Sequence, residues 1–136
     1  LQSAAVSINC LRIDMFVFLR GRLPSFKFAF AGIAYMLRTQ KNTWIHLAAT
    51  IAVIGAGFFF RVTPVEWALL IFAIGSVWSA EAMNTAVEAL TDLCSPNYNT
   101  LAKIAKDTAA AAVVFTALAA AIVGLIIFIP YGRNLF

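Results

Sequence analysis

The chain is 136 residues long, 62% hydrophobic and 12% charged, with a formal net charge of +4. Soluble domains carry about 25% charged and 45–50% apolar residues, so an ordinary soluble globule is excluded and one small membrane-embedded domain is indicated. The positive charges sit mostly toward the N-terminal end and form no basic face interleaved with aromatics, so nucleic acid is not an expected partner.

Residues 1–21 are expected to form an N-terminal extension, poorly ordered, ahead of a membrane domain spanning 22–136. The apolar stretch Met15–Leu19 is too short for a signal peptide, and Met15 is a candidate start. Phe26 to Arg38 has an apolar body with basic ends, and Phe26, Phe30, Ile33 and Leu37 recur at helical spacing. That pattern suits an amphipathic helix lying in the membrane interface or packed on a helix bundle. Trp44 to Phe60 follows with no formal charge when His46 is neutral, just long enough to cross a bilayer. Arg61-Val-Thr-Pro64 is a turn. A second span runs from about Val65 to Leu90, longer than the ~20 residues a bilayer core requires. Cys94 to Thr100 is a polar loop broken by Pro96. A third helix begins near Leu101 and is free of charge from Thr108 to Ile129. The expected fold is therefore an all-α membrane protein of three transmembrane helices plus an N-terminal amphipathic surface helix.

Lys and Arg residues near the span ends set the orientation. Lys27, Arg38 and Lys41 precede the first span, with Arg12, Arg20 and Arg22 further back. The first turn has only Arg61, the second loop has Lys103 and Lys106, and the tail has Arg133. The N-terminus and the second loop are thus expected in the cytoplasm of a multi-pass inner or plasma membrane protein. Cys10 and Cys94 have no evident pairing, and a lone His46 without a CxxC motif argues against zinc.

The end of the second span carries the chemistry. In EAMNTAVEALTD, Glu81 to Asp92, residues 84, 88 and 92 lie at about −60°, −20° and +20° from Glu81 on a helical wheel. Trp67 to Ala80, just before, has no charge. Carboxylates at the end of such a run are expensive in a membrane, so the stripe reads as a functional site. Glu88 and Asp92, one turn apart, are spaced to share a divalent cation or a metal-phosphate group, and hard oxygen ligands suit Mg²⁺. Glu81 lies deeper, at a level where a lipid headgroup hydroxyl would meet a general base. Lys103, Lys106 and Asp107 across the loop add the cations a polyphosphate requires. The competing reading is of solvated interfacial carboxylates and topology-setting lysines, and it is strongest for Asp92. No GxxxxGK, GxSxG or HExxH motif is present.

The E-x-x-N-x-x-x-E-x-x-x-D run and the Leu101–Asp107 segment LAKIAKD, followed by an Ala-rich span, are distinctive. Together with Phe30-Ala-Gly32 through Asn42-Thr-Trp-Ile-His46, they make the chain resemble the prokaryotic integral-membrane diacylglycerol and undecaprenol kinases over residues 22–130. The resemblance implies a homotrimer with active sites between subunits, a membrane lipid alcohol as substrate, ATP as co-substrate and Mg²⁺ as cofactor. It implies Glu81 as general base, Glu88 as magnesium ligand, and Asn84, Asp92, Lys106 and Asp107 on the nucleotide side of the site. Where the family usually has a second metal-ligating glutamate, this chain has Gln40, a neutral ligand. The second loop looks more like the undecaprenol kinase branch. Two rival readings are a non-catalytic membrane subunit whose acids conduct protons or bind a cation, and a family member that has lost catalysis at Gln40.

Overall fold

The computed structural model describes residues 26–133. The expected extension, with Cys10, Met15 and three of the topology-setting arginines, lies outside them. Four helices make up the described residues: α1 (26–39), α2 (Lys41–Phe60), α3 (Pro64–Cys94) and α4 (Thr100–Arg133). Helix α1 covers the segment read as the surface helix. The chain divides into compact units between Tyr35 and Met36, and the second unit contains the last turn of α1 with α2, α3 and α4.

Each boundary has a local cause. Gln40 leaves helical geometry at φ −102° and ψ 114°, and its side chain makes no cap bond to α2. Helix α2 ends at Arg61, which adopts the left-handed conformation (φ 52°, ψ 49°) and turns its N–H back to the Phe58 carbonyl. Thr63 and Glu66 then form a reciprocal capping box, with Pro64 at the first turn where its missing N–H is not needed. Helix α3 continues to Cys94, one turn past the expected Leu90. Its stop is Pro96, which disfavours helix at the residue before it, and Ser95 leaves helical geometry at φ −140° and ψ 73°. Asn99 caps α4, its Oδ1 accepting the N–H groups of Leu101 and Ala102.

All three long helices are apolar enough to cross a membrane. At 1.5 Å per residue α2 is about 30 Å long, α3 about 46 Å and α4 about 51 Å, against a hydrocarbon core of about 30 Å. Helices α3 and α4 therefore extend beyond the core. These two pack along one another as an antiparallel hairpin, whereas α2 meets α3 at fewer places. Phe72 is 77% exposed and Phe115 71%, which suits lipid or another protein chain and not water.

The apolar core sits at the Arg61–Pro64 end. Val62, Leu70 and Ile127 are buried there against Phe60, Trp67, Phe128 and Tyr131. The Tyr131 hydroxyl donates to Glu66 at 2.8 Å and ties α4 to the start of α3. Gly57 is required by close packing: a Cβ there would lie 2.7 Å from Trp67 Cη2. At the opposite end α2 and the residue before it reach α3 through side-chain hydrogen bonds.

Candidate active site

Glu81 lies 17 residues into α3, about 26 Å along its axis from Pro64 and near the far edge of a bilayer core. The stripe that begins there grades outward. Glu81 is 2% exposed, Asn84 is buried, Glu88 is half-buried, and the Asp92 side chain is 69% exposed. The helical wheel places these residues on one face; Glu81, Glu88 and Asp92 find partners outside α3, and Asn84 bonds Glu88 within it.

At the inner end, the hydroxyl of Thr43, itself fully buried, donates to Glu81 Oε1 at 3.2 Å. The other carboxylate oxygen, Oε2, lies 4.0 Å from His46 Nε2. Two turns outward, both oxygens of Glu88 accept from amides. Gln40 Nε2 donates to Oε2 at 2.6 Å, and Asn84 Nδ2 donates to Oε1 at 3.1 Å. This fixes the orientation of both amides, because the reverse orientation would set a carbonyl oxygen against a carboxylate. Asn84 Oδ1 is consequently turned away, and it is buried without a hydrogen-bond partner. At the outer end Lys106 Nζ meets Asp92 Oδ1 at 2.8 Å, and Lys103 meets Asp107 at 2.6 Å along α4.

Glu81, Asn84, Glu88 and Gln40 thus form one continuous network, and Asp92 with Lys106 borders it. Asp107 pairs with Lys103 on the exposed side of α4. The spacing that suggested a cation shared between Glu88 and Asp92 is occupied differently: Asp92 is taken by Lys106. Glu88 accepts from neutral amides, and no Lys or Arg among the described residues forms an ion pair with it, the charge of Lys106 reaching it only at longer range. A half-buried carboxylate with no ion-pair partner in contact leaves room for a cation to bind directly.

The donor set fits magnesium. No three His, Cys, Asp or Glu side chains converge among the described residues, and Mg²⁺ does not require them. It typically takes one or two carboxylates and completes its shell with substrate phosphates and water. Glu88 would be that carboxylate, and the buried Asn84 Oδ1 is an oxygen acceptor without a partner. Gln40 is beside Glu88 as expected, but it presents N–H. Ligation through its oxygen requires the amide to turn over.

Sequence reasoning missed the α2 side of this site. Thr43, His46 and Thr50 follow one another at spacings of three and four, within an arc of about 60° on an apolar helix. Thr50 Oγ1 accepts from Trp78 Nε1 at 3.0 Å, a further polar tie to α3. The signal was the same helical periodicity that exposed the acids. It is fainter because threonine and neutral histidine carry no charge.

Fold and site together define a membrane-embedded enzyme with an acidic, cation-ready centre at one end of its spanning helices. Comparison with known proteins makes the class specific. Residues 27–128 match the model of the prokaryotic diacylglycerol kinase family. The chain is 42% identical over 106 residues to an undecaprenol kinase of Bacillus subtilis, covering 78% of this chain and 86% of the relative. It is 41% identical over 109 residues to a diacylglycerol kinase of Synechocystis sp., covering 79% of this chain and 62% of that longer relative. The chain belongs to the prokaryotic diacylglycerol kinase family: it is a lipid kinase and a multi-pass membrane protein.

Proposed function

We propose that this chain transfers the γ-phosphoryl group of ATP to the hydroxyl of a membrane lipid alcohol, undecaprenol or diacylglycerol. The observation that carries the reading is Glu88, oriented through both oxygens, paired with no protein cation and flanked by the unpartnered Asn84 Oδ1. Glu88 would hold Mg²⁺ there, joined by the amide oxygens of Gln40 and Asn84 once those side chains turn toward it. Magnesium, when bound, neutralises charge on the triphosphate. Glu81 takes the proton of the lipid hydroxyl from its deeper position. Lys106 contacts the phosphates on exchanging Asp92 for them, while Asp92 and Asp107 border the nucleotide.

The protein works as a homotrimer with its N-terminus in the cytoplasm, where ATP is available, and α1 lies amphipathically at the same membrane face. The Lys and Arg distribution supports that orientation, and the family resemblance supports the trimer. Little covalent work is asked of the protein beyond positioning and charge stabilisation, as is general for phosphoryl transfer. The test is radiolabelled ATP with purified protein in mixed micelles containing undecaprenol or diacylglycerol. Labelled lipid phosphate from one of them is expected and identifies the acceptor. No product from either, with protein shown to be folded, rejects the proposal.

A further inference from the structure

The acceptor side of the site contains two residues that no role above uses. Thr43 is a fully buried hydroxyl on α2 whose side chain reaches across to α3 and bonds one oxygen of a buried carboxylate. His46, one turn further along, approaches the other oxygen at 4.0 Å, too far for a direct hydrogen bond. The same histidine lines a cavity of about 460 Å³ whose other walls are almost wholly apolar, among them Val53, Ile74, Val77, Leu125 and Phe128. His46 therefore stands where an apolar pocket meets Glu81.

We propose that Thr43 and His46 position the proton acceptor and the lipid hydroxyl, and that the cavity seats the hydroxyl-bearing end of the lipid alcohol. This rests on the kinase reading and on Glu81 as its base. Thr43 occupies Oε1, which leaves Oε2 as the oxygen free to accept a proton. A hydroxyl oxygen about 2.8 Å from both would bridge Oε2 and His46 Nε2, which at 4.0 Å are too far apart to bond directly. It donates its hydrogen to Glu81 and accepts a hydrogen bond from His46 Nε2–H. In the transfer the lipid O–H bond breaks and its proton passes to Glu81 Oε2. The oxygen bonds the γ-phosphorus, the bond from that phosphorus to the β–γ bridging oxygen breaks, and ADP leaves. His46 keeps its own proton throughout and steadies the charge that develops on the alcohol oxygen.

Interhelical adhesion alone would also place a threonine against a carboxylate, so the test separates geometry from adhesion. Thr43→Val removes only the hydrogen bond at nearly constant volume, and Thr43→Ser restores it. His46→Leu removes the nitrogen, and His46→Gln returns an N–H near the Nε2 position. Initial rates are measured on the purified full chain in micelles, with the lipid alcohol and ATP varied separately. Binding of a fluorescent ATP analogue reports that the nucleotide side is intact. Thr43→Val is expected to lower kcat by about 10–100-fold, the scale of a small misplacement of a reacting group, with KM for ATP unchanged. Thr43→Ser recovers most of the loss. His46→Leu is expected to raise KM for the lipid as well as lower kcat, and His46→Gln to reverse part of both.

Wild-type kcat in Thr43→Val, equal damage in Thr43→Ser, or a parallel rise in KM for ATP would overturn the inference. If Thr43→Val does not fold, the two His46 variants decide alone by the split between lipid and ATP parameters. An inactive wild type removes the kinase reading and this inference with it, whereas an active wild type with unaffected variants removes only the inference.

Discussion

Gln40→Glu tests the charge balance at Glu88 most directly. The amide donates to Glu88 Oε2 at 2.6 Å; the substitution replaces that donor with a second acceptor at the same place. Two carboxylates whose charge centres are about 4 Å apart repel by about 4 kcal/mol at the effective dielectric near a protein surface. The site is only half-buried, and the side chains can move apart, so about 1–3 kcal/mol of destabilisation is expected in the absence of divalent cation. Magnesium reverses the sign, because the added charge now faces a dication. Recovering even 1.4 kcal/mol corresponds to tenfold tighter binding. Thermal unfolding of wild type and variant in detergent, with EDTA and across a MgCl₂ titration, reads both effects without requiring turnover. The variant should melt below wild type in EDTA and gain more than wild type from magnesium, as mass action requires of a ligand bound more tightly to the folded state. Equal melting in EDTA together with equal magnesium response would show that Gln40 and Glu88 do not share a cation site.

Three other substitutions test separate parts of the argument. Glu81→Gln keeps the Thr43 bond but cannot accept a proton, and should lower kcat by about 10²–10⁴-fold while nucleotide-analogue binding stays at the wild-type level; retained turnover would dismiss Glu81 as the base. Lys106→Met should raise KM for ATP several-fold, on the order of the loss of one phosphate contact, and leave KM for the lipid alone; a change confined to the lipid parameter would place Lys106 on the wrong side of the site. Gly57→Ala must displace the Trp67 ring, whose Cη2 lies 2.7 Å from the new Cβ. It should lower stability by about 1–3 kcal/mol, seen as a lower melting temperature and altered tryptophan fluorescence; an unchanged melting curve would mean that the α2–α3 turn repacks freely.

The parts of the site that were legible in the sequence are those where helical period and electrostatic cost act together. Glu81, Asn84, Glu88 and Asp92 stand out because a 3.6-residue repeat aligns them and because an apolar run precedes them. Their partners depend on tertiary placement. Nothing in the order of residues says that Gln40 meets Glu88, 48 positions away, or that Thr43 meets Glu81 across 38. The helix ends divide the same way. Val65 was a sound start for α3 because Thr63 and Pro64 are local signals. Leu90 was too early a stop because the last apolar residue does not end a helix, whereas the conformational restriction imposed by Pro96 does.

The pairing of α2 with α3 shows why the neutral residues matter. The hydrophobic core lies at the opposite end, and lipid chains are themselves apolar, so apolar contact gives α2 little reason to prefer one rotation over another near the acids. Hydrogen bonds supply that preference: Gln40 to Glu88 just ahead of α2, then Thr43 to Glu81 and Trp78 to Thr50 along one side of it. A rotation of α2 by one residue, 100°, would withdraw all three at once. The contacts that dock α2 are therefore also the ones that aim Glu81 and Glu88. Thr50 touches neither carboxylate but does line the lipid cavity, so at saturating lipid its substitution should reach Glu81 and Glu88 only through that rotation. Thr50→Val is expected to lower kcat less than Thr43→Val does, and the kcat loss of the double variant should be smaller than the product of the two single losses, because both act on one rotation. Independent, multiplicative losses would show that the seam is three separate contacts and that α2 is aimed by something else.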